Sequence, residues 1–169
     1  MKKTTREAKR IIFRPVDSAI GTKLNLTALQ QTPGFMIRIL QIQIFEEFFA
    51  YFAPVGFSPA EHSVLITVRD NPLVNQSVIA DALRIQLPNL VKILSKLEAD
   101  GFLERSRSTK DKRAVELSLT AKGQVAARQT SKMADAFNTL TLSALSTQEQ
   151  KQFVEMLSRL VNARTALKG

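Results

Sequence analysis

Apolar positions change their period along this chain, and each change marks a new element. From Phe35 to Phe52 they fall nearly all round a helical cylinder, interrupted only by Arg38, Gln41, Gln43, Glu46 and Glu47. Such a pattern predicts a helix buried on most faces, which a small monomer rarely arranges and an oligomer does. Thr32-Pro33-Gly34 suits its start, with Thr32 as N-cap and proline in the first turn, and Pro54 and Gly56 end it. Ser58-Pro59-Ala60-Glu61 then reads as a capping box opening a helix with Val64, Leu65 and Val68 on one face, stopped by Asn71-Pro72. Asn75 can cap a short helix carrying Val78, Ile79 and Leu83. The next helix runs from Leu87 to Asp100 on a stripe of Leu90, Ile93, Leu94 and Leu97, and Gly101 stands where a left-handed cap belongs.

The period then drops to two. Val115, Leu117 and Leu119 alternate with Glu116 and Ser118, so 114–119 predicts a strand. Residues 102–105 offer an antiparallel partner, and 106–113 the loop between them. Thr120 caps a long helix through Phe137 and Leu140. Ser146-Thr147-Gln148-Glu149 is a second capping box, opening a last helix with Phe153, Met156, Leu157, Leu160 and Val161 inside. The predicted fold is mainly α with a small β-hairpin wing: a winged helix-turn-helix core flanked by N- and C-terminal dimerisation helices. The expected organisation is a basic arm over 1–32, dimerisation helices over 33–55 and 121–169, and a DNA-binding unit over 56–120.

Charge sharpens this picture. The 169 residues carry a net charge of +9, with 44% hydrophobic and 23% charged residues, an ordinary globular mix on a basic chain. The excess calls for a polyanionic partner, nucleic acid or an anionic membrane surface. Within the arm, Lys2, Lys3, Arg6, Lys9, Arg10, Arg14 and Lys23 face only Glu7 and Asp17. It reads either as a partly disordered tail or as an arm that packs on a partner subunit or touches phosphates.

Cysteine is absent and His62 is the single histidine. Thiol chemistry, disulfides and thiolate metal sites are therefore excluded, and neither a metal nor a cofactor is expected. No apolar run reaches the roughly 18 uninterrupted residues of a membrane span, and the basic N-terminus lacks the apolar core and cleavage site of a signal peptide. No membrane partner is expected, and the cytoplasm, beside bacterial DNA, is the expected compartment.

Four runs carry a resemblance: FSPAEHSVL at 57–65, NQSVIADALRI at 75–85, LVKILSKLEADGFLERS at 90–106 and DKRAVELSLTAKG at 111–123. Over about 70 residues the chain resembles the MarR family of bacterial transcription regulators. The last run is the most specific, since the family's wing reads Asp, a variable residue, Arg, then a strand ending in Leu-Thr with a glycine nearby. The resemblance implies that the guanidinium of Arg113 enters a minor groove, that Asp111 orients the basic residues beside it, and that His62 faces a ligand cleft beside the dimer interface.

The residues support a nucleic-acid role on their own chemistry. A recognition helix presents its first turn to base edges in the major groove. Here that turn holds Gln86, Leu87, Pro88 and Asn89, followed by Lys92, Ser95 and Lys96. Gln86 and Asn89 can bond adenine bidentately, Lys92 can reach guanine or phosphate, and Gln76 on the preceding helix joins the expected contacts. Val91 reads as helix packing. In the wing, Arg105, Arg107, Lys110, Lys112 and Arg113 are the long cations that a narrow, negative minor groove attracts. Arg38, Gln41 and Phe45 share a face of the first long helix and, with His62, are the expected ligand-binding set: Arg38 for a carboxylate or phosphate, Phe45 for an aromatic ring, His62 for a phenol. The plainer reading makes His62 a satisfied structural residue.

These features lead to a homodimeric repressor on a palindromic operator, released by a small phenolic or aromatic acid or its coenzyme A thioester. The alternative is a ligand-independent architectural protein that coats DNA by charge, with weak sequence preference and a steep salt slope. An enzyme is not expected: one histidine, no cysteine and no phosphate-cradling glycine loop leave no catalytic constellation.

Overall fold

The computed structural model describes residues 24–107 and 115–166, with side chains described for 24–106 and 115–163. Two units make up the chain, Met1–Gln43 and Ile44–Gly169. The first contains α1 (Thr27–Gln30) and the beginning of α2 (Pro33–Phe52). The one-turn α1 lies inside the segment expected to be an arm; the arm's basic residues up to Lys23 fall outside the described residues. At the start of α2 the Thr32 carbonyl accepts from Met36 N at 3.2 Å, as an N-cap's does, and the Thr32 hydroxyl donates to the carbonyl of Leu29 at 2.7 Å.

The second unit continues with α3 (Pro59–Asp70), β1 (Val74–Asn75), α4 (Gln76–Leu83), α5 (Leu87–Ala99), β2 (Leu103–Arg107), β3 (Val115–Leu119), α6 (Ala121–Thr141) and α7 (Thr147–Ala166). Side-chain caps set most of the starts. Glu61 N donates to Ser58 Oγ (3.2 Å) while Ser58 N donates to the Glu61 carboxylate (2.8 Å), completing the predicted box. Asn75 Oδ1 accepts from Ser77 N at 2.8 Å, and Ser146 and Glu149 repeat the box on α7. Gly101 ends α5 at φ +72°, a conformation that costs a residue with a Cβ.

Strand β2 extends to Arg107, two residues beyond its expected end, and pairs with β3 in the register Leu103↔Leu119, Arg105↔Leu117 and Arg107↔Val115. The hairpin also gains a third strand. Val74 pairs with Leu117, giving the order β1-β3-β2. A strand of two residues has no alternation to read, so only long-range pairing reveals it.

One core joins α3, α4, α5 and the sheet. Val64, Leu65, Ile79, Leu90, Leu94 and Leu117 are completely buried in it, with Ala127 of α6 closing one side. A second, aromatic cluster holds Phe48 and Phe52 of α2, stacked at 3.8 Å, against the edge of Phe137 on α6. Within a single chain, two helices keep much of their apolar surface exposed. On α2 only Phe48 and Phe52 are buried, while Ile37, Phe45 and Phe49 are exposed. On α7, Met156, Leu160 and Val161 are exposed rather than inside.

Gly123, in the first turn of α6, marks the tightest approach in the core. A Cβ there would lie 1.9 Å from the backbone oxygen of Phe102. Gly123→Ala gains about 1 kcal/mol of helix propensity, but this contact forces the α6 start off the hairpin at a cost of about 2–3 kcal/mol or more. A lower urea midpoint for the variant is the expected result; an unchanged midpoint would show that the two segments separate freely.

Candidate nucleic-acid interface

Burial decides which side of α5 can meet a ligand. Leu90, Leu94 and Leu97 are at most 1% exposed and turn one face into the core. Asn89, Lys92 and Lys96, at helical spacings of three and four, share another face and are all exposed. The helix follows a tight turn in which Arg84 takes a left-handed conformation (φ 54°) and Ile85 N donates to Ala80 O. Gln86 begins α5 without a side-chain cap; its carbonyl accepts from Asn89 N at 2.9 Å and Leu90 N at 3.0 Å. Its amide is therefore not used as a cap. Gln86, Pro88 and Asn89 form an exposed first turn, and Gln76 is half-buried at the start of α4.

The basic residues divide into two kinds. Lys92 is exposed and in no ion pair among the described residues. Lys96 instead places Nζ 2.5 Å from Glu61 Oε1. Arg105 donates from Nη2 to Ser95 Oγ at 3.0 Å and holds Nε 3.3 Å from Glu98 Oε2. Lys122, which sequence reasoning passed over, donates to Asp100 O at 2.6 Å and sits 4.4 Å over the Phe102 ring. Of the wing set, the Arg107 side chain and Lys110, Asp111, Lys112 and Arg113 lie outside the described residues. Beneath the first turn of α5 a hollow of about 440 Å³ is lined by Ser77, Asp81, Arg84 and Gln86 among others.

Glu61 is the buried acid of this region. Burial pushes its carboxyl up, but hydrogen bonds from Lys96 and Ser58 outweigh this and hold it below the usual carboxylate range. The same bond with Glu61 raises Lys96. The sequence marks Glu61 as a cap, but nothing local points to a lysine 35 positions later.

Arg38 and Gln41 are exposed in the first unit, and Phe45 is exposed in the second. His62 is half-buried, and the rings against it are those of Phe52 (5.4 Å) and Phe48 (5.9 Å). Its Nδ1 is buried with no hydrogen-bond partner among the described residues. Burial, then the nearby Arg69 guanidinium, lower its pKa and so favour the neutral imidazole. Arg69 itself is held by Asp70 at 2.7 Å and by Ser131. Beside the aromatic cluster, Glu47, Ala50, Tyr51, Phe137 and Leu140 line an apolar hollow of about 520 Å³. On a helix apolar all round, Phe45 and Phe48 are equivalent by pattern; only packing picks Phe48. No group of acidic or histidine side chains among the described residues could hold a metal, and no described helix is long and apolar enough to cross a membrane.

Known proteins share this architecture. A family model described as "MarR family" matches residues 57–115. The chain is 31% identical over 102 residues to the HTH-type transcriptional regulator BilQ of Clostridium symbiosum, covering 60% of this chain and 71% of that one. A structure of the transcriptional repressor CouR bound to a 23-mer DNA duplex matches with a TM-score of 0.78 and 32% identity, over 83% of this chain and 99% of CouR. CouR bound to p-coumaroyl-CoA matches at 0.75 and 31%, over 82% and 98%.

His62 generates a pH prediction. Its folded-state pKa lies below the ordinary 6.5. As pH falls through that value the unfolded chain takes up a proton that the folded chain refuses, so stability drops; above it the histidine contributes no slope. His62→Gln removes this loss. Melting temperatures from about pH 8 to about pH 5.5 are expected to fall more steeply for the wild type than for the variant. Parallel curves would place the imidazole in water.

Proposed function

The chain belongs to the MarR family of winged helix-turn-helix, DNA-binding transcriptional regulators, and from that premise we propose that it is a homodimeric repressor of a palindromic operator. Its operator complex dissociates when a small aromatic acid or the coenzyme A thioester of one binds. The observation that carries the reading is α5: a helix rotationally fixed by three buried leucines, with Gln86, Asn89 and Lys92 exposed along its outer face. In this reading Gln86 and Asn89 address base edges, Lys92 a phosphate or guanine, and Arg107, Lys110 and Arg113 the adjoining minor groove, with Asp111 orienting them.

The dimer follows from apolar surface that one chain leaves in water. Ile37, Ile42, Phe45 and Phe49 on α2 and Val154 and Met156 on α7 are all exposed. Large exposed apolar groups in such numbers mark an interface. The effector is suggested by His62, whose buried Nδ1 has no hydrogen-bond partner among the described residues and could take one from a phenol. The likeness to CouR, a repressor whose solved complexes hold DNA or p-coumaroyl-CoA, supports both partners. A ligand acts on DNA binding only through its different affinity for the released and bound shapes.

The experiment starts from a duplex selected by the wild-type protein out of a random pool. Light scattering should give a dimer, the selected site should be palindromic, and p-coumaroyl-CoA or a free aromatic acid should release it. A monomer, or a selection without consensus, overturns the reading. Asn89→Ala should lose about 1–3 kcal/mol on the selected duplex and little on a scrambled one. Equal loss on both would remove Asn89 from base recognition.

A further inference from the structure

Three contacts hold the C-terminal half of α5, and one of them uses a cation that sequence assigns to DNA. Lys96 Nζ lies 2.5 Å from Glu61 Oε1, across from the N-terminal turn of α3. The Glu61 side chain is 9% exposed and its other oxygen already accepts from Ser58 N. On a different flank, about 160° round the helix axis by residue spacing, Glu98 faces Arg105 of β2, which also reaches Ser95. At the end of the helix Lys122 of α6 holds the Asp100 carbonyl.

We propose that Lys96 is a positioning residue that locks the recognition helix to the capping box of α3, and is not a phosphate contact. The proposal rests on α5 being the recognition helix. An ammonium has three donors, but the bond to Glu61 fixes where this one sits. Turning Nζ toward a phosphate would leave a carboxylate oxygen buried without its partner, which is far more costly than leaving an exposed lysine unpaired. Phosphates are also solvated and shared with mobile counterions, so their hold on an exposed cation is diluted by salt. Glu61 is neither. The pair fixes the tilt of α5 relative to α3, and so sets where Asn89 and Gln86 point at the other end of the helix.

Opposite signs separate the two roles. Glu61→Gln keeps an oxygen that can accept from Ser58 N but gives up the charge. If Lys96 binds phosphate, the variant frees that cation, and the duplex binds more tightly with a steeper dependence on salt. If Lys96 positions the helix, the variant binds the selected duplex about tenfold more weakly at an unchanged salt slope. Lys96→Gln should then match it, the double variant should be no worse than either single one, and Lys96→Arg should restore binding. Lys92→Gln is the internal standard: as a phosphate contact it lowers the slope by about 1.

Lys96→Gln sits at an exposed position and keeps the fold even where Glu61→Gln lowers the melting point. A slope reduced by Lys96→Gln as by Lys92→Gln, or tighter binding by Glu61→Gln, overturns the proposal. If Lys92→Gln and Asn89→Ala both leave binding unchanged, the assignment of α5 itself fails, and that outcome overturns both readings together.

Discussion

The buried stripe of α5 is the constraint on which the interface depends. With Leu90, Leu94 and Leu97 at no more than 1% exposure, the helix has no freedom to rotate about its axis. Turning it by one residue would bring a leucine into water and Lys92 or Ser95 toward the core, losing roughly 1.5–3 kcal/mol for each leucine exposed. The outward face therefore follows from the inward one. Asn89 and Lys92 face outward because leucines elsewhere on the same helix have nowhere else to go. The tight seam at Gly123, where Phe102 O occupies the space of a Cβ, fixes the hairpin against α6 in the same way.

Local signals made most of this architecture legible. Ser58, Asn75 and Thr120 cap the helices that the sequence assigns to them, because a cap is a bond to a backbone N–H only two or three residues away. The alternation over 115–119 gave strand β3 for a similar reason. What escaped was non-local. Strand β1 exists only by pairing with a strand 43 positions further on, Val74 with Leu117. That Phe48 and Phe52 lie against His62 was not legible either, because α2 is apolar on every side and its period carries no direction.

That lack of direction has its own meaning. A helix that serves one chain needs one apolar stripe, and α2 uses Phe48 and Phe52 for it, stacked together and capped by Phe137. The remaining large side chains on α2 are left over from this packing. Phe49 alone is 54% exposed. Hydrophobic burial near 25 cal/mol per Å² makes a surface of this kind favourable to cover, and the homodimer proposed above would cover it.

A basic composition overstates a DNA footprint when its cations are counted without their partners. Lys96, Arg105 and Lys122 all lie near α5, yet each is engaged with the protein: with Glu61, with Ser95 and Glu98, and with the Asp100 carbonyl. At long range these charges still draw a polyanion, since the field depends on the net +9 and not on who is paired. At contact range the distinction decides the chemistry. A cation paired with a carboxylate 9% exposed is held by a fixed neighbour, whereas Lys92, exposed and unpaired among the described residues, can exchange water for phosphate at little cost. The sequence cannot separate the two, because what distinguishes Lys92 from Lys96 is a glutamate 35 residues before the latter, brought there by the packing of α3 on α5. Charge composition thus identifies the class of partner, and tertiary structure assigns which charges meet it.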